Sequence, residues 1–186
     1  IGGNGDSRLN LFKKCLNAIP ENNPAILETG NSEAEAIKLF SNTYLSVRIG
    51  FFNEIDSFAI KNNLDASQII TSIGLDPRIG STYNNPSFGF GGYCLPKDSK
   101  QAVTHFKNVP NTIISSIPES NLKRKEFIAR DIISRKPNII GVYRLVMKGG
   151  SDNFRESASI DVINKLLEFD QKIIIYEPLI SQDNFE

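Results

Sequence analysis

The run Ser32-Glu33-Ala34-Glu35-Ala36-Ile37-Lys38-Leu39-Phe40-Ser41-Asn42-Thr43 opens the stretch that decides the fold. Nothing interrupts it early: glycine next occurs at Gly50 and proline at Pro77. Ser32 and Glu35 have the spacing of a capping box, in which each side chain satisfies a free N–H at a helix start. Apolar residues recur at Ala34, Ile37, Leu45, Ile49, Phe52, Ile55 and Ala59, and a second set comprises Phe40, Tyr44, Phe51 and Phe58. Together they cover much of a helical circumference, which predicts a helix packed on more than one side. It runs about 30 residues, or roughly 45 Å, before Asn62-Asn63 breaks it. A helix of that length is a domain spine or a subunit interface, so the predicted class is mostly α with a long spine helix.

Toward the N-terminus, Leu9, Leu11, Phe12, Cys15, Leu16 and Ala18 predict a short amphipathic helix over residues 6–19, with Cys15 on its apolar face and in the core. Pro20 to Pro24 reads as loop and Ile26-Leu27 as a short strand. Beyond the spine, Asp65 caps a helix through Gln68, Ile69, Ile70 and Ile73 that stops at Gly74. Residues 76–96 form a long loop rich in glycine, proline, asparagine and aromatics. Pro96 and Asp98 open a helix through Ala102, Val103 and Phe106. A charged helix from Glu119 to about Arg135 has Leu122, Phe127, Ile128, Ile132 and Ile133 as its apolar positions. The period then changes: residues 138–143 are a strand, Ser159 to about Glu168 a helix and Ile173–Tyr176 a second strand. That is one parallel, right-handed βαβ unit. The expected organisation is residues 1–25 as the end of a preceding domain or a linker, 26–136 as a central helical domain, and 137–186 as a partial α/β, Rossmann-like domain. Ile1-Gly2-Gly3 reads as the tail of a strand and the second βαβ strand leads on to more, so a piece of a longer protein is expected.

Composition narrows the function. Of 186 residues 40% are hydrophobic and 23% charged, which is globular rather than disordered. Lys plus Arg and Asp plus Glu are each 21, so the chain carries no basic footprint for nucleic acid. No apolar run is long enough to span a membrane, and Ile1–Asp6 lacks the features of a signal peptide. A cytoplasmic protein is expected. Cys15 and Cys94 make no disulfide framework, and the single His105 excludes a histidine-rich metal site. No metal is expected, and His105 reads as a surface side chain.

Three constellations carry possible chemistry. The loop sequence Pro86-Ser87-Phe88-Gly89-Phe90-Gly91-Gly92-Tyr93-Cys94-Leu95-Pro96-Lys97-Asp98 has glycines that let a ligand approach the backbone. Cys94 lies beside a helix start, a place that activates thiols, with Lys97 adding positive charge and Asp98 placed to orient water. A buried structural cysteine beside a glycine-rich turn is the other reading. Lys38 and Asn42, four apart, share one helix face and fit an oxyanion, or simply a solvated face. Residues 148–157, from Lys148 through Arg155, lie in the crossover of the βαβ unit, where parallel sheets bind phosphate; an ordinary surface loop fits as well. Residues 1–5 lack a dinucleotide fingerprint.

Together these motifs resemble the UDP-glucose/GDP-mannose dehydrogenase family. Residues 32–43 are similar to the start of that family's central helix, and Phe52-Asn53-Glu54 continues it. Gly74-Leu75-Asp76-Pro77-Arg78-Ile79-Gly80 resembles its G-x-D-x-R-I-G segment. Gly91-Gly92-Tyr93-Cys94-Leu95-Pro96-Lys97-Asp98 resembles its nucleophile motif, and Ser151-Asp152-Asn153-Phe154-Arg155-Glu156-Ser157 the start of its sugar-nucleotide domain. Tyr93 and the run Tyr143-Arg144-Leu145-Val146-Met147-Lys148 resemble the short bacterial members that act on UDP-glucose.

The resemblance implies a four-electron oxidation of the sugar C6 alcohol to a carboxylate with two NAD reduced. Cys94 would form a thiohemiacetal and then a thioester. Lys38 and Asn42 would stabilise oxyanions, and Asp98 would position water. Tyr83, Ser87, Gly91 and Lys148 would bind the nucleotide sugar, with Arg78 reaching in from a partner subunit. Lys97 and Arg155 would face the cofactor, and the long helix would form a homodimer. Residues 1–25 would then belong to the end of an NAD-binding domain, and the chain by itself would not turn over. UDP-N-acetylmannosamine and GDP-mannose are competing substrates. A non-catalytic dimerisation module is a different reading, as is the helical domain of a hydroxyacid dehydrogenase; Cys94 argues against the latter, since a two-electron oxidation needs no thiol.

Overall fold

The computed structural model describes residues 1–3, 5, 7–18, 25–145 and 157–178. In chain order the described elements are α1 (Ser7–Asn17), α2 (Asn31–Lys61), α3 (Ala66–Gly74), α4 (Cys94–His105), α5 (Ile113–Ser134), β1 (Ile140–Tyr143), α6 (Ala158–Leu167) and β2 (Ile173–Tyr176). The class is therefore as the sequence predicts: mostly helical around a long spine, then a small parallel α/β part.

Local chemistry sets the helix ends, with some departures from the sequence reading. α2 starts at Asn31, where the Gly30 carbonyl accepts from the Ala34 N–H at 3.0 Å. Ser32 thus lies inside the first turn, too far in to act as the cap. After Lys61 the chain turns through Asn63 at φ 53°, a left-handed conformation that asparagine tolerates. Asp65 caps α3 by accepting from the Gln68 N–H at 3.0 Å. α4 begins at Cys94, not at Pro96; proline fits the first turn because its missing N–H would have no partner there. α5 begins at Ile113 and runs through Pro118, so the proline does not mark its start.

The chain divides into two compact units, Ile1–Ser41 and Asn42–Glu186. In the first, Gly2 and Thr29 form a single parallel bridge, with Gly3 N–H donating to the Thr29 carbonyl and Thr29 N–H to that of Ile1, both at 3.0 Å. The strand expected at Ile26-Leu27 is reduced to this bridge. Lys13 of α1 pairs with Glu28. Leu9 is the buried residue of α1, beside Gly3, while Leu11 and Phe12 are exposed and so is Cys15. This corrects the core placement of Cys15: at ~100° per residue, positions 11 and 15 point away from the side that carries Leu9.

In the second unit α2 buries Thr43, Ser46, Phe52, Asn53 and Ala59. Phe40, Tyr44, Phe51 and Phe58, the second apolar set, are exposed along α2. At ~100° per residue Thr43 lies nearly opposite Phe52 and Ala59, so the spine is packed on more than one side, as the sequence predicts, and the aromatic stripe between them is left open. β1 and β2 pair in parallel, Ile140 opposite Ile173 and Tyr143 opposite Tyr176. Ile140 packs with Val162 and Leu166 of α6 and with Ile128 and Ala129 of α5 into one hydrophobic core. The same helix α5 departs from its sequence reading one turn earlier: Leu122 is exposed, while Asn121, Arg124 and Lys125 are buried. No helix among the described residues is long and apolar enough to cross a membrane.

Candidate active site

Cys94 is the first residue of α4 and is exposed, which argues against a buried structural thiol. Asp98 follows one helical turn later on the same side. Its carboxylate is buried at 1% exposure, and its charge is met from two directions. Asn42 Nδ2 donates to Asp98 Oδ2 at 2.6 Å, and Lys97 Nζ lies 3.0 Å from Oδ1. These two contacts give both carboxylate oxygens a partner in place of water. In return the hydrogen bond to Asp98 raises the Lys97 pKa above 10.5. The Lys97 ammonium also sits 5.3 Å from the Tyr93 ring centre. The fold thus joins Asn42, Lys97 and Asp98 directly and places Cys94 at the head of the same turn. Lys38 lies four residues before Asn42 along α2, in the first unit.

The loop before α4 is held from its sides. Arg48 of α2, which sequence reasoning did not single out, donates through Nε to the Thr82 carbonyl at 2.6 Å. Its Nη2 reaches the Ile79 and Gly80 carbonyls at 2.8 and 3.0 Å and Asn84 Oδ1 at 2.6 Å. That guanidinium pins the segment in which Tyr83 adopts a left-handed φ of 59°. Tyr83 itself is exposed. Arg78 projects into solvent and forks onto Asp76, with Nη2 to Oδ2 at 2.6 Å and Nε to Oδ1 at 3.0 Å, which lowers the Asp76 pKa.

Further along, Ser87 N–H donates to Asn53 Oδ1 at 2.7 Å, and its carbonyl accepts from Arg124 Nε at 2.8 Å. Arg124 also donates to Asp56 Oδ2 at 2.6 Å and Ser57 Oγ at 2.7 Å. Gly91 lies on the rim of a cleft of about 530 Å³ between α4, α5 and α6, lined also by Pro96, Lys100, Asn121 and Asn164. Asn53 entered the sequence reading only within Phe52-Asn53-Glu54, and Asn121 and Arg124 not at all, because nothing local marks a polar helix residue as buried. Lys148 and Arg155 lie outside the described residues. Ser157, at the end of that motif, caps α6 by accepting from the Ser159 N–H at 3.2 Å.

An exposed thiol heads α4 with a buried carboxylate–amide pair one turn behind it, and a parallel α/β unit follows α5, the features on which the sequence resembles the UDP-glucose/GDP-mannose dehydrogenase family. The comparisons agree. The UDP-glucose/GDP-mannose dehydrogenase family matches twice, its central domain over residues 32–123 and its UDP binding domain over residues 141–186. The chain belongs to that family. It is 54% identical over 172 residues to a UDP-glucose 6-dehydrogenase of Campylobacter jejuni, a match covering 91% of this chain and 44% of that protein. A UDP-glucose 6-dehydrogenase of Streptococcus pneumoniae is 50% identical over 168 residues, covering 90% of this chain and 42% of its own length. The chain thus spans less than half the length of these curated relatives. Among solved structures it is similar to a UDP-glucose dehydrogenase of Pyrobaculum islandicum, at TM-score 0.77 and 28% identity over 95% of this chain and 42% of that one. It is likewise similar to the UDP-N-acetyl-mannosamine dehydrogenase Cap5O of Staphylococcus aureus, at TM-score 0.75 and 27% identity over 100% of this chain and 43% of that one.

Proposed function

We propose that this chain supplies the central and UDP-sugar-binding parts of an NAD-dependent dehydrogenase that oxidises C6 of UDP-glucose to give UDP-glucuronate. The observation that carries the reading is the exposed Cys94 at the head of α4, with Asp98 buried behind it on Asn42 and Lys97. The names of the two bacterial relatives favour UDP-glucose over UDP-N-acetylmannosamine or GDP-mannose. The proposed organisation is 1–25 as the end of an NAD-binding domain or a linker, 26–136 as the central domain and 137–186 as the start of the UDP-sugar domain.

NAD is the hydride acceptor such a reaction calls for. The described residues do not form a site that fits it: Lys97, the described side chain assigned to the cofactor, is engaged with Asp98, and Arg155 lies outside the described residues. The steps that fall to this chain's own residues begin at the aldehyde. The Cys94 thiol adds across the C6 aldehyde, its sulfur bonding to carbon and its proton passing to oxygen, to give a thiohemiacetal. Asn42 donates to that oxygen, a role the family resemblance also gives to Lys38. The C6 hydride would pass to NAD held elsewhere in the enzyme and the hydroxyl proton to water, which would leave a thioester on Cys94. Water attacks it with Asp98 as orienting acceptor, the C–S bond breaks, and carboxylate and free thiol result. Tyr83, Ser87, Gly91 and Lys148 hold the nucleotide sugar, with Arg78 donated from a second copy. That second copy docks along the exposed aromatic side of α2, where Tyr44, Phe51 and Phe58 follow one another at seven-residue steps. The enzyme is read as cytoplasmic.

Alkylation of the two exposed thiols tests the reading, with Cys15 as internal control. UDP-glucose should slow Cys94 selectively, and more than UDP-N-acetylmannosamine or GDP-mannose do. A Cys94 rate indifferent to all three sugar nucleotides would refute the site.

A further inference from the structure

Among the described residues the loop that leads to Cys94 pairs with no strand, yet two of its residues are held at both N–H and carbonyl by helix side chains. Phe90 N–H donates to Asn121 Oδ1 at 2.8 Å, and the Phe90 carbonyl accepts from Asn121 Nδ2 at 2.9 Å. One primary amide on α5 thus copies a rung of a β-ladder. Phe90 and Asn121 are 4% and 7% exposed, so neither group can turn to water instead. Ser87 is gripped in the same manner, its N–H by Asn53 and its carbonyl by Arg124. Between the two, Gly89 stands at φ +132° with its bare Cα against Asn121 Oδ1 and Lys125, and Lys125 is tied to Asp161 of α6. The gripped stretch begins at Ser87 and leads into Gly91 and Cys94.

We propose that Asn121 is a positioning residue for this site. It acts through the Phe90 peptide, fixing the path from Ser87 to Gly91 that faces the nucleotide sugar and setting where α4 begins at Cys94. The inference rests on the nucleotide-sugar reading of the loop, and its test separates the two.

The variants are Asn121→Ala, which removes both bonds, and Asn121→Asp, which keeps the acceptor and turns a second oxygen toward the Phe90 carbonyl. At about pH 8 the new carboxylate repels that carbonyl; near pH 5 a buried carboxyl whose pKa is raised by that neighbour takes a proton and donates as the amide did. Three quantities are read: Phe90 amide exchange by NMR, UDP-glucose affinity by calorimetry, and the Cys94-to-Cys15 alkylation ratio. In Asn121→Ala, exchange at Phe90 should rise about ten-fold beyond any global change, and affinity should fall about ten-fold, the loss of one well-made buried contact. Asn121→Asp should match Asn121→Ala at about pH 8 and return to within about three-fold of wild type near pH 5, a recovery that a merely structural defect does not produce. Unchanged Phe90 exchange overturns the proposal, and so does faster exchange with unchanged affinity. If the wild-type chain does not bind UDP-glucose, the substrate reading fails on its own. Asn121 is then judged by the alkylation ratio, which must shift at least about three-fold in Asn121→Ala if the loop sets the thiol; an unchanged ratio overturns the positioning role.

Discussion

Replacing Gly89 by alanine probes how tightly the loop before Cys94 is built. At φ +132° an L side chain is strained, at about 1–3 kcal/mol. The added Cβ would stand 2.8 Å from Asn121 Oδ1 and 2.9 and 3.1 Å from Lys125 Cε and Cγ. Both neighbours are anchored, Asn121 on Phe90 and Lys125 on Asp161, so relief of that crowding adds about 1–3 kcal/mol. The sum centres near 4 kcal/mol, roughly 8–16 °C of melting temperature for a chain of this size. Two other glycines calibrate it. Gly80 has φ +67° with open space around its Cβ position, so Gly80→Ala pays strain alone, about 1–2 kcal/mol. Gly50 lies inside α2 with Ser120 Oγ at an ordinary 3.5 Å, so Gly50→Ala gains helix propensity, up to about 1 kcal/mol. Thermal melts of the three variants should therefore rank Gly50→Ala above wild type, Gly80→Ala slightly below, and Gly89→Ala far below. If Gly89→Ala melts no lower than Gly80→Ala, the loop is free to move away from α5 and the crowding argument is wrong.

Two further outcomes follow from the ion pair at the site and the open face of α2. Since Asp98 raises the Lys97 pKa, the stability this pair contributes is fully present below 10.5 and is lost only as pH climbs through the higher folded value. The melting-temperature difference between wild type and Lys97→Met should thus stay constant from about pH 6 to pH 9 and shrink only beyond 10.5; a difference that changes near neutrality removes this pair as its source. For α2, sedimentation should show a dimer that Phe51→Asp weakens about 1,000-fold, since two symmetry-related phenylalanines of roughly 2 kcal/mol each are lost. A dimer untouched by the charge places the interface elsewhere, and a wild-type monomer removes it.

What could be read in the sequence was what local rules govern. The uninterrupted run from Ser32, the Asp65 cap, the change of period after Arg135 and the glycine-rich approach to Cys94 each follow from backbone chemistry within a few residues. The misreadings share another origin. Leu122 is the apolar choice on α5 and Asn121, Arg124 and Lys125 the solvated one if the helix is judged alone. The structure reverses this, because a distant loop brings carbonyls and N–H groups that only polar side chains can meet. Arg48 was missed for the same reason, since its acceptors at Ile79, Gly80 and Thr82 lie some thirty residues away. The helix read from Glu119 begins at Ile113 and carries Pro118 within it. Cys15 was misplaced because period alone does not say which apolar side of a short helix finds a neighbour.

An irregular segment beside a reactive side chain must still satisfy its backbone, since a buried unpaired N–H or carbonyl costs about 1–3 kcal/mol. A strand would meet that need with another strand and would fix the segment into a flat edge. Here the partners are side chains on two helices, which leaves the loop free to bend through Tyr83 and Gly89 in conformations that no ladder allows. Such an arrangement carries a cost at Asn53, whose Oδ1 holds the Ser87 N–H while Nδ2 is buried with no partner among the described residues. It also explains the buried guanidinium of Arg124. An apolar side chain of like size would pack as well and desolvate more cheaply, but would leave the Ser87 carbonyl, Ser57 and Asp56 without their donor. The polar turn of α5 is thus a consequence of where the loop runs: a segment held off a sheet needs its hydrogen-bond partners on helices.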